Sequence, residues 1–299
     1  CRPRVEALRT DLVSLQAGSF VSASKSSGEP IVEFRNVSVK FGSFVALHDL
    51  SFVIEDSPDR GEFIAMIGPS GCGKSTVLNL VAGFLKPTEG EVLVGGKPVN
   101  GPGRDRGMIF QQYSSFPHLT VIRNVMFGLE INKHDIGMDY PARLKRAQEL
   151  IEQVGLKGHE QKYPHQLSGG QQQQVAIART LATEPRILLV DEPFSALDEP
   201  TRLEMQELLV DLWYRIHPTI FCVTHSVTEA VYLSERLWIL THAPGQIAYD
   251  IRDALPPSVG IPPLTAQERP EFKKAAVVVT EAFRAVLEND AAKRRMNTT

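Results

Sequence analysis

Residues Gly68–Thr76 read GPSGCGKST, and they constrain this 299-residue chain more than any other stretch. They satisfy the pattern G-x-x-x-x-G-K-[ST] in the context that pattern needs. Ahead of them runs the apolar segment EFIAMIG, which reads as a buried strand. Behind them KSTVLNLVAGFL puts Val77, Leu78, Val81 and Leu85 on one helical face. A strand ending in glycine and a helix starting on Lys-Ser make an anion trap: glycines let backbone N–H groups turn inward, and the helix aims its positive end at the same spot. The reading assigns Gly68, Pro69, Ser70, Gly71, Cys72, Gly73, Lys74, Ser75 and Thr76 to a phosphate-binding loop. Lys74 would reach the β and γ oxygens of a nucleoside triphosphate, and Ser75 would offer its hydroxyl to Mg²⁺. For Cys72 the backbone matters more than the sulfur. The alternative is a glycine-rich turn with no ligand.

The rest of the chain supplies a fold for that loop. IVEFRNVSV and FVALHDLSFVI alternate apolar and polar residues and read as strands, with Gly42 between them. EGEVLVGGKPV reads as a hairpin turning at Gly95–Gly96. Pro141 opens a helix with Leu144, Ala147, Leu150, Ile151 and Val154 on one side, and Gly155 sits at its C-terminal cap. A further helix spans about 171–182. Strand and helix then alternate: RILLVDEP, helix 201–213, strand 219–224, helix 226–233, strand 236–240. This order predicts an α/β domain with a mostly parallel sheet. Residues 1–30, Ser-rich in SFVSASKSSGEP, read as a flexible leader, and the Pro-rich 253–264 as a linker. A last helix places Phe272, Ala276, Val279, Phe283 and Leu287 in one stripe, packing back on its own domain or against a partner.

Composition excludes several classes. Apolar residues make up 42% and charged residues 22%, values ordinary for a globular chain and unlike a collagen, a coiled coil or a disordered protein. The 32 Lys and Arg against 35 Asp and Glu give a net charge of −3, so no excess of positive charge points to nucleic acid as partner. Cys1, Cys72 and Cys222 are too scattered for a disulfide framework or a zinc site and fit a reducing compartment. No run approaches the ~18 apolar residues of a membrane span. No basic start followed by an apolar core suggests a secretory signal.

Two more segments carry chemistry. In RILLVDEP, four apolar residues bury a strand whose end presents Asp191 and Glu192 where ligands of open α/β sheets bind. Asp191 suits an indirect hold on Mg²⁺, and Glu192 suits a general base or an orienter of an attacking water. In LSGGQ, Ser168 and Gln171 form an S-x-x-Q capping box at a helix start. Gly169 and Gly170 straight after the cap cost conformational entropy, which makes better sense if their N–H groups meet a phosphate. Ser168 can cap and bind at once.

Taken together, the loop at 68–76, Gln111 in IFQQY, LSGGQ, LLVDEP, SALD (Ser195–Asp198) and His225 in VTHS stand in the order of an ABC-transporter ATP-binding subunit, which this chain resembles over about 31–251. FPHLTVIRNVMFGL, ALDEPTRLEMQELLVDLW and HAPGQI are most similar to the bacterial importers of nitrate, taurine and aliphatic sulfonates. The resemblance implies a P-loop NTPase of ABC ATPase architecture at 31–252: a mostly parallel sheet core, an antiparallel β subdomain, and a helical subdomain at about 112–182. It implies that Phe41 stacks on adenine, unless Phe41 is simply a core strand residue. It further implies that Gln111 joins Mg²⁺ and the lytic water to the helical subdomain, that Asp198 contacts a second copy, and that His225 holds the γ-phosphate; a structural histidine is the alternative. Two copies would face each other head to tail, Ser168 and Gly170 of one closing on ATP bound by the other. The implied partners are integral membrane permease subunits, indirectly a periplasmic or extracellular substrate-binding protein, and no nucleic acid; the implied location is the cytoplasmic face of the cell membrane. Gln172 and Gln174 stand where relatives commonly have arginine, and Ser226 where aspartate is usual, which bears on the hydrolysis rate. The rival reading is a soluble ABC ATPase acting outside transport.

Overall fold

The structure, a computed structural model, describes residues 30–56, 61–112, 114–252, 255 and 258–296. All of the proposed leader except Pro30 lies outside the described residues. Strands β1 (Val32–Phe41) and β2 (Phe44–Ile54) pair antiparallel across Gly42-Ser43. Strand β3 (Phe63–Ile67) feeds the glycine loop and α1 (Lys74–Ala82). Strands β4 (Glu89–Val94) and β5 (Lys97–Pro98) form the expected hairpin, with Gly95 and Gly96 at φ 53° and 69°, conformations that glycine adopts without steric cost.

Strand β6 (Arg106–Ile109) leads into a helical segment of α2 (Val121–Ile131), α3 (Lys133–Ile136), α4 (Tyr140–Gln153) and α5 (Gly169–Leu181). Alternation then resumes with β7 (Ile187–Asp191), α6 (Glu199–Ile216), β8 (Thr219–Val223), α7 (Val227–Leu233) and β9 (Arg236–Leu240). Strand β10 (Ile247–Ile251), α8 (Pro263–Glu268) and α9 (Pro270–Met296) complete the described chain.

Among the described residues the strands form two sheets. One is antiparallel, in the order β2-β1-β4-β5; the other runs β10-β9-β3-β8-β7-β6 and is parallel apart from the β10–β9 pair. The α/β class read from the sequence is the class observed. The six-stranded sheet is covered on both sides, and the two-residue period of its strands sorts their side chains between two cores. Phe63, Ala65, Ile67, Leu188, Val190, Ile220 and Cys222 face the helices that follow β6 and β7. Ile64, Met66, Ile187, Leu189, Phe221, Val223 and Trp238 face α1 and the antiparallel sheet. A buried Leu, Ile, Val or Phe of this kind contributes about 1.5–3 kcal/mol. Polar chemistry is thereby confined to the strand ends.

Five elements escaped the sequence reading: β6, α2, α3, β10 and α8, the last beginning inside the stretch read as a linker. Helix α2 buries Val121, Ile122, Val125, Met126 and Leu129, a helical spacing masked by β-branched residues and Gly128, which are poor helix formers. Helix α6 extends beyond its expected 201–213 because Asp198 caps it and Pro200 fits its first turn.

The C-terminal stripe also needs correction. Leu287 is 41% exposed, and the buried face is Phe272, Ala275, Val278, Val279, Ala282, Val286 and Asp290. The small Ala275 and Ala282 take the innermost positions, Ala276 and Phe283 pack half-buried beside them, and Leu287 turns outward. The described part of the Pro-rich segment packs as well: the Tyr232 hydroxyl donates to the Ile261 carbonyl at 2.9 Å. Among the described residues, no helix is long and apolar enough to cross a membrane.

Candidate active site

A cleft of about 350 Å³ opens where β1, β2, the glycine loop and the C-terminal ends of β7 and β8 meet. Its lining brings together Phe41, Phe44, Ala46, residues 70–76, Glu192 and His225. Phe41 and Phe44 are cross-strand partners at the hairpin end, 51% and 50% exposed, so neither is a core residue. Phe44 was not singled out from the sequence. Its pairing with Phe41 across the two-residue Gly42-Ser43 turn is the signal that would have found it.

The loop is held by its glycines. Gly73 sits at φ 96° as the N-cap of α1, contributing no side chain to the cap, and a Cβ there would lie 2.6 Å from Leu47 Cδ2. Gly71 is exposed at φ 75°. Lys74, only 5% exposed, donates from Nζ to the carbonyls of Gly68 (2.9 Å) and Pro69 (3.0 Å). Cys72 Sγ, a weak acceptor at 3.7 Å, is its third neighbour, so the ammonium is fixed above the loop. Burial pushes the Cys72 thiol up, outweighing the nearby Lys74 charge, so this sulfur stays protonated and unreactive.

Opposite the loop, the Ser75 hydroxyl donates to Asp191 Oδ1 at 3.1 Å. Burial raises the Asp191 pKa; the Ser75 bond opposes the shift and the neighbouring Glu192 charge adds to it. Glu192 is held at φ 46°, a left-handed conformation that a side chain resists, with its N–H on the Val223 carbonyl at 3.0 Å. Its Oε1 lies 2.5 Å from His225 Nε2, and with the proton on Nε2 the histidine donates to the carboxylate. A carboxylate and an imidazole paired at a cleft can orient a water and accept its proton. Ser75 and Asp191 are hard oxygen donors of the kind Mg²⁺ takes.

The remaining sequence-derived residues lie elsewhere. Gln111 follows β6 in an exposed position and does not line the cleft. Ser168 caps α5, accepting from the Gln171 N–H at 3.3 Å, while Gln171 Oε1 accepts from the Ser168 N–H at 3.1 Å: the reciprocal box expected from LSGGQ. Asp198 caps α6 through the Thr201 N–H, and that bond holds its carboxyl below the usual range. Gly170 is buried, and a Cβ on it would come within 2.4 Å of Thr201 Cγ2. Its lack of a side chain thus has a packing reason beyond any phosphate, and LSGGQ sits beside the SALD turn. Ser226 fills the role an aspartate would have, capping α7 by accepting from the Glu229 N–H at 3.3 Å. The sequence reading also missed Glu229, which receives Gln206 Nε2 at 3.1 Å and the Thr224 hydroxyl; burial raises its pKa, against those bonds and the Arg202 charge.

The chain as a whole is similar to known proteins. The ABC transporter family pattern covers residues 47–195. An uncharacterized ABC transporter ATP-binding protein of Methanocaldococcus jannaschii is 50% identical over 217 residues, 73% of this chain and 76% of that one. The nitrate import ATP-binding protein of Synechocystis is 43% identical over 248 residues, 82% of this chain and 90% of that one. A solved dimeric ATP-binding cassette in a post-hydrolysis state with ADP and Pi aligns at TM-score 0.63 and 36% identity, over 74% of this chain and 98% of that one. The chain belongs to the ABC transporter family, as an ATP-binding subunit that hydrolyses ATP.

Proposed function

We propose that this subunit works as a head-to-tail pair with a second copy of itself and drives import of a small oxyanion of the nitrate, sulfonate or taurine type through a separate permease. One observation carries the reading. The cleft gathers Phe41, the 70–76 loop, Glu192 and His225, whereas Ser168, Gly170 and Asp198 cluster together outside it. One chain thus holds two half-sites, and a two-fold axis brings each against its complement.

In this mechanism Phe41, with Phe44, stacks on the adenine. Backbone N–H groups of 70–76 and the Lys74 ammonium bind the β- and γ-phosphates, and His225 holds the γ-phosphate from the other side. Ser75 and Asp191, with Gln111, would hold Mg²⁺, which when bound neutralises charge building on the phosphate oxygens. Glu192 orients the attacking water and takes its proton, while His225 keeps the carboxylate in place. Ser168 and Gly170 of the second copy close over the γ-phosphate, and its Asp198 aligns the two copies. Hydrolysis removes the group that both halves grip, and the pair opens as rigid bodies. The helical segment between Gln111 and Leu167 transmits this motion at the cytoplasmic face of the membrane, Phe116, Pro117 and Leu119 touching the permease. A substrate-binding protein outside the membrane delivers the cargo.

Glu192→Gln should form an ATP-dependent dimer on size-exclusion chromatography, and adding Ser168→Ala should dissolve it. A monomer at saturating Mg-ATP would rule out the shared site. For transport, ATPase activity in vesicles carrying the cognate permease should rise with one of nitrate, sulfonates or taurine.

A further inference from the structure

The apolar stripe that docks α9 ends in a carboxylate. Asp290 is buried beyond Phe272, Ala275, Val279, Ala282 and Val286, where an unused charged group is costly. Its Oδ2 accepts the backbone N–H of His242 at 2.8 Å. His242 opens a tight loop after β9, closed by the Thr241 N–H on the Gln246 carbonyl (2.9 Å) and the Gln246 N–H on Thr241 Oγ1 (3.1 Å).

That loop backs the glycine loop without slack. A Cβ on Gly245 would lie 2.0 Å from the Cys72 carbonyl oxygen, and the Gly245 N–H donates to the Ala46 carbonyl at 2.8 Å. At the near end, a Cβ on Gly68 would lie 3.0 Å from the Leu240 carbonyl. The segment 240–245 therefore abuts the glycine loop at Gly68 and at Cys72, and Ala46 and Cys72 both line the cleft.

We propose that Asp290 is a positioning residue for ATP: through His242 it clamps the 241–246 loop, which fixes the backbone of the phosphate loop. The C-terminal helix thereby sets nucleotide affinity from outside the cleft. Lys74 is held by the same loop, through the Gly68 carbonyl, whereas Glu192 and His225 follow other strands, so loss of the contact weakens binding and spares the chemical step. The inference rests on the reading of the cleft as the ATP site.

The test uses the full chain and Mg-ATP, with equilibrium binding, steady-state hydrolysis and thermal unfolding measured in parallel. Asp290→Ala should raise Kd and KM about five- to tenfold, the net worth of one ordinary hydrogen bond, and leave kcat within about twofold. Asp290→Leu continues the apolar stripe and keeps α9 docked, so it should show the same weakening in a stable protein. Asp290→Asn retains an oxygen that can accept from His242 and should bind close to wild type. Wild-type affinity in both Asp290→Ala and Asp290→Leu would overturn the proposal, as would an Asp290→Asn as weak as Asp290→Ala. A wild-type chain that fails to bind Mg-ATP would overturn this inference together with the reading of the cleft.

Discussion

The six-stranded sheet carries a charged cluster at each end, and the two are built on opposite rules. At the N-terminal ends of its parallel strands, Arg236 is 2% exposed and fully engaged: Nε and Nη2 donate to Asp250 at 2.7 Å each, and Nη1 to Glu62 at 3.1 Å. Trp238 Nε1 adds a bond to Asp250 at 3.0 Å, and its ring lies 5.0 Å from the guanidinium carbon. Burial opposes the charge on Arg236, but its bonds to Asp250 and the Glu62 charge outweigh that and hold its pKa above the ordinary value. At the C-terminal ends, Lys74, Glu192 and His225 line an open cleft, with Asp191 behind Ser75, on a backbone that includes a left-handed glutamate. Charges that satisfy one another serve the fold, and charges gathered on an open cleft serve a ligand.

Substitutions at the two ends should therefore separate activity from stability. The largest effect is expected for Glu192→Gln: turnover should drop by about 10²–10⁴, the range for losing a general base, with the melting temperature nearly unchanged. A variant that kept even a tenth of wild-type turnover would remove Glu192 from the chemistry. At the other end, Asp250→Ala leaves a buried guanidinium with Glu62 alone and should cost about 3–5 kcal/mol of stability by denaturant titration. Hydrolysis by the fraction still folded should be normal, and a specific loss of turnover would break the contrast.

A smaller effect comes from pH. Burial sets the Asp191 pKa above its ordinary 3.8, so the group gains its proton sooner on acidification. A carboxylate must be ionised to hold a cation. Metal-dependent nucleotide binding should thus weaken at a higher pH than a normal aspartate would impose, and Asp191→Asn should bind weakly throughout. The stability sign is the reverse: the native state penalises the ionised form. Asp191→Asn should therefore be the more stable protein above the raised pKa, an advantage that fades as pH falls towards 3.8. Unfolding curves across this window check both signs. The smallest effect is expected for Ser226→Asp, which replaces one good helix cap by another and should shift stability by no more than about 0.5 kcal/mol and leave turnover unchanged.

Much of this was legible in the chain because the relevant signals are local. The phosphate loop, the LSGGQ capping box and the strand ending in Asp191 and Glu192 each fit within nine residues. What escaped depends on residues far apart in sequence. Strand β6 is short, and it exists because it pairs in parallel with β7, Arg106 opposite Ile187. Asp250 lies on β10, which was not read from the sequence, and its role shows only once Arg236 and Trp238 are placed against it. Gly170 looked like a ligand-binding glycine, and only the approach of Thr201 reveals its packing constraint. Phe44 needed its partner across the hairpin, and the innermost places on the last helix went to alanines that a hydrophobicity-first reading underrates.

The left-handed turn at Glu192 has one more implication. At φ 46° the backbone suits glycine or asparagine better than a glutamate. Drift towards a relaxed turn would leave an inert cassette at least as durable as the working one. On the proposed mechanism, only the demand for hydrolysis would hold an acid at that position.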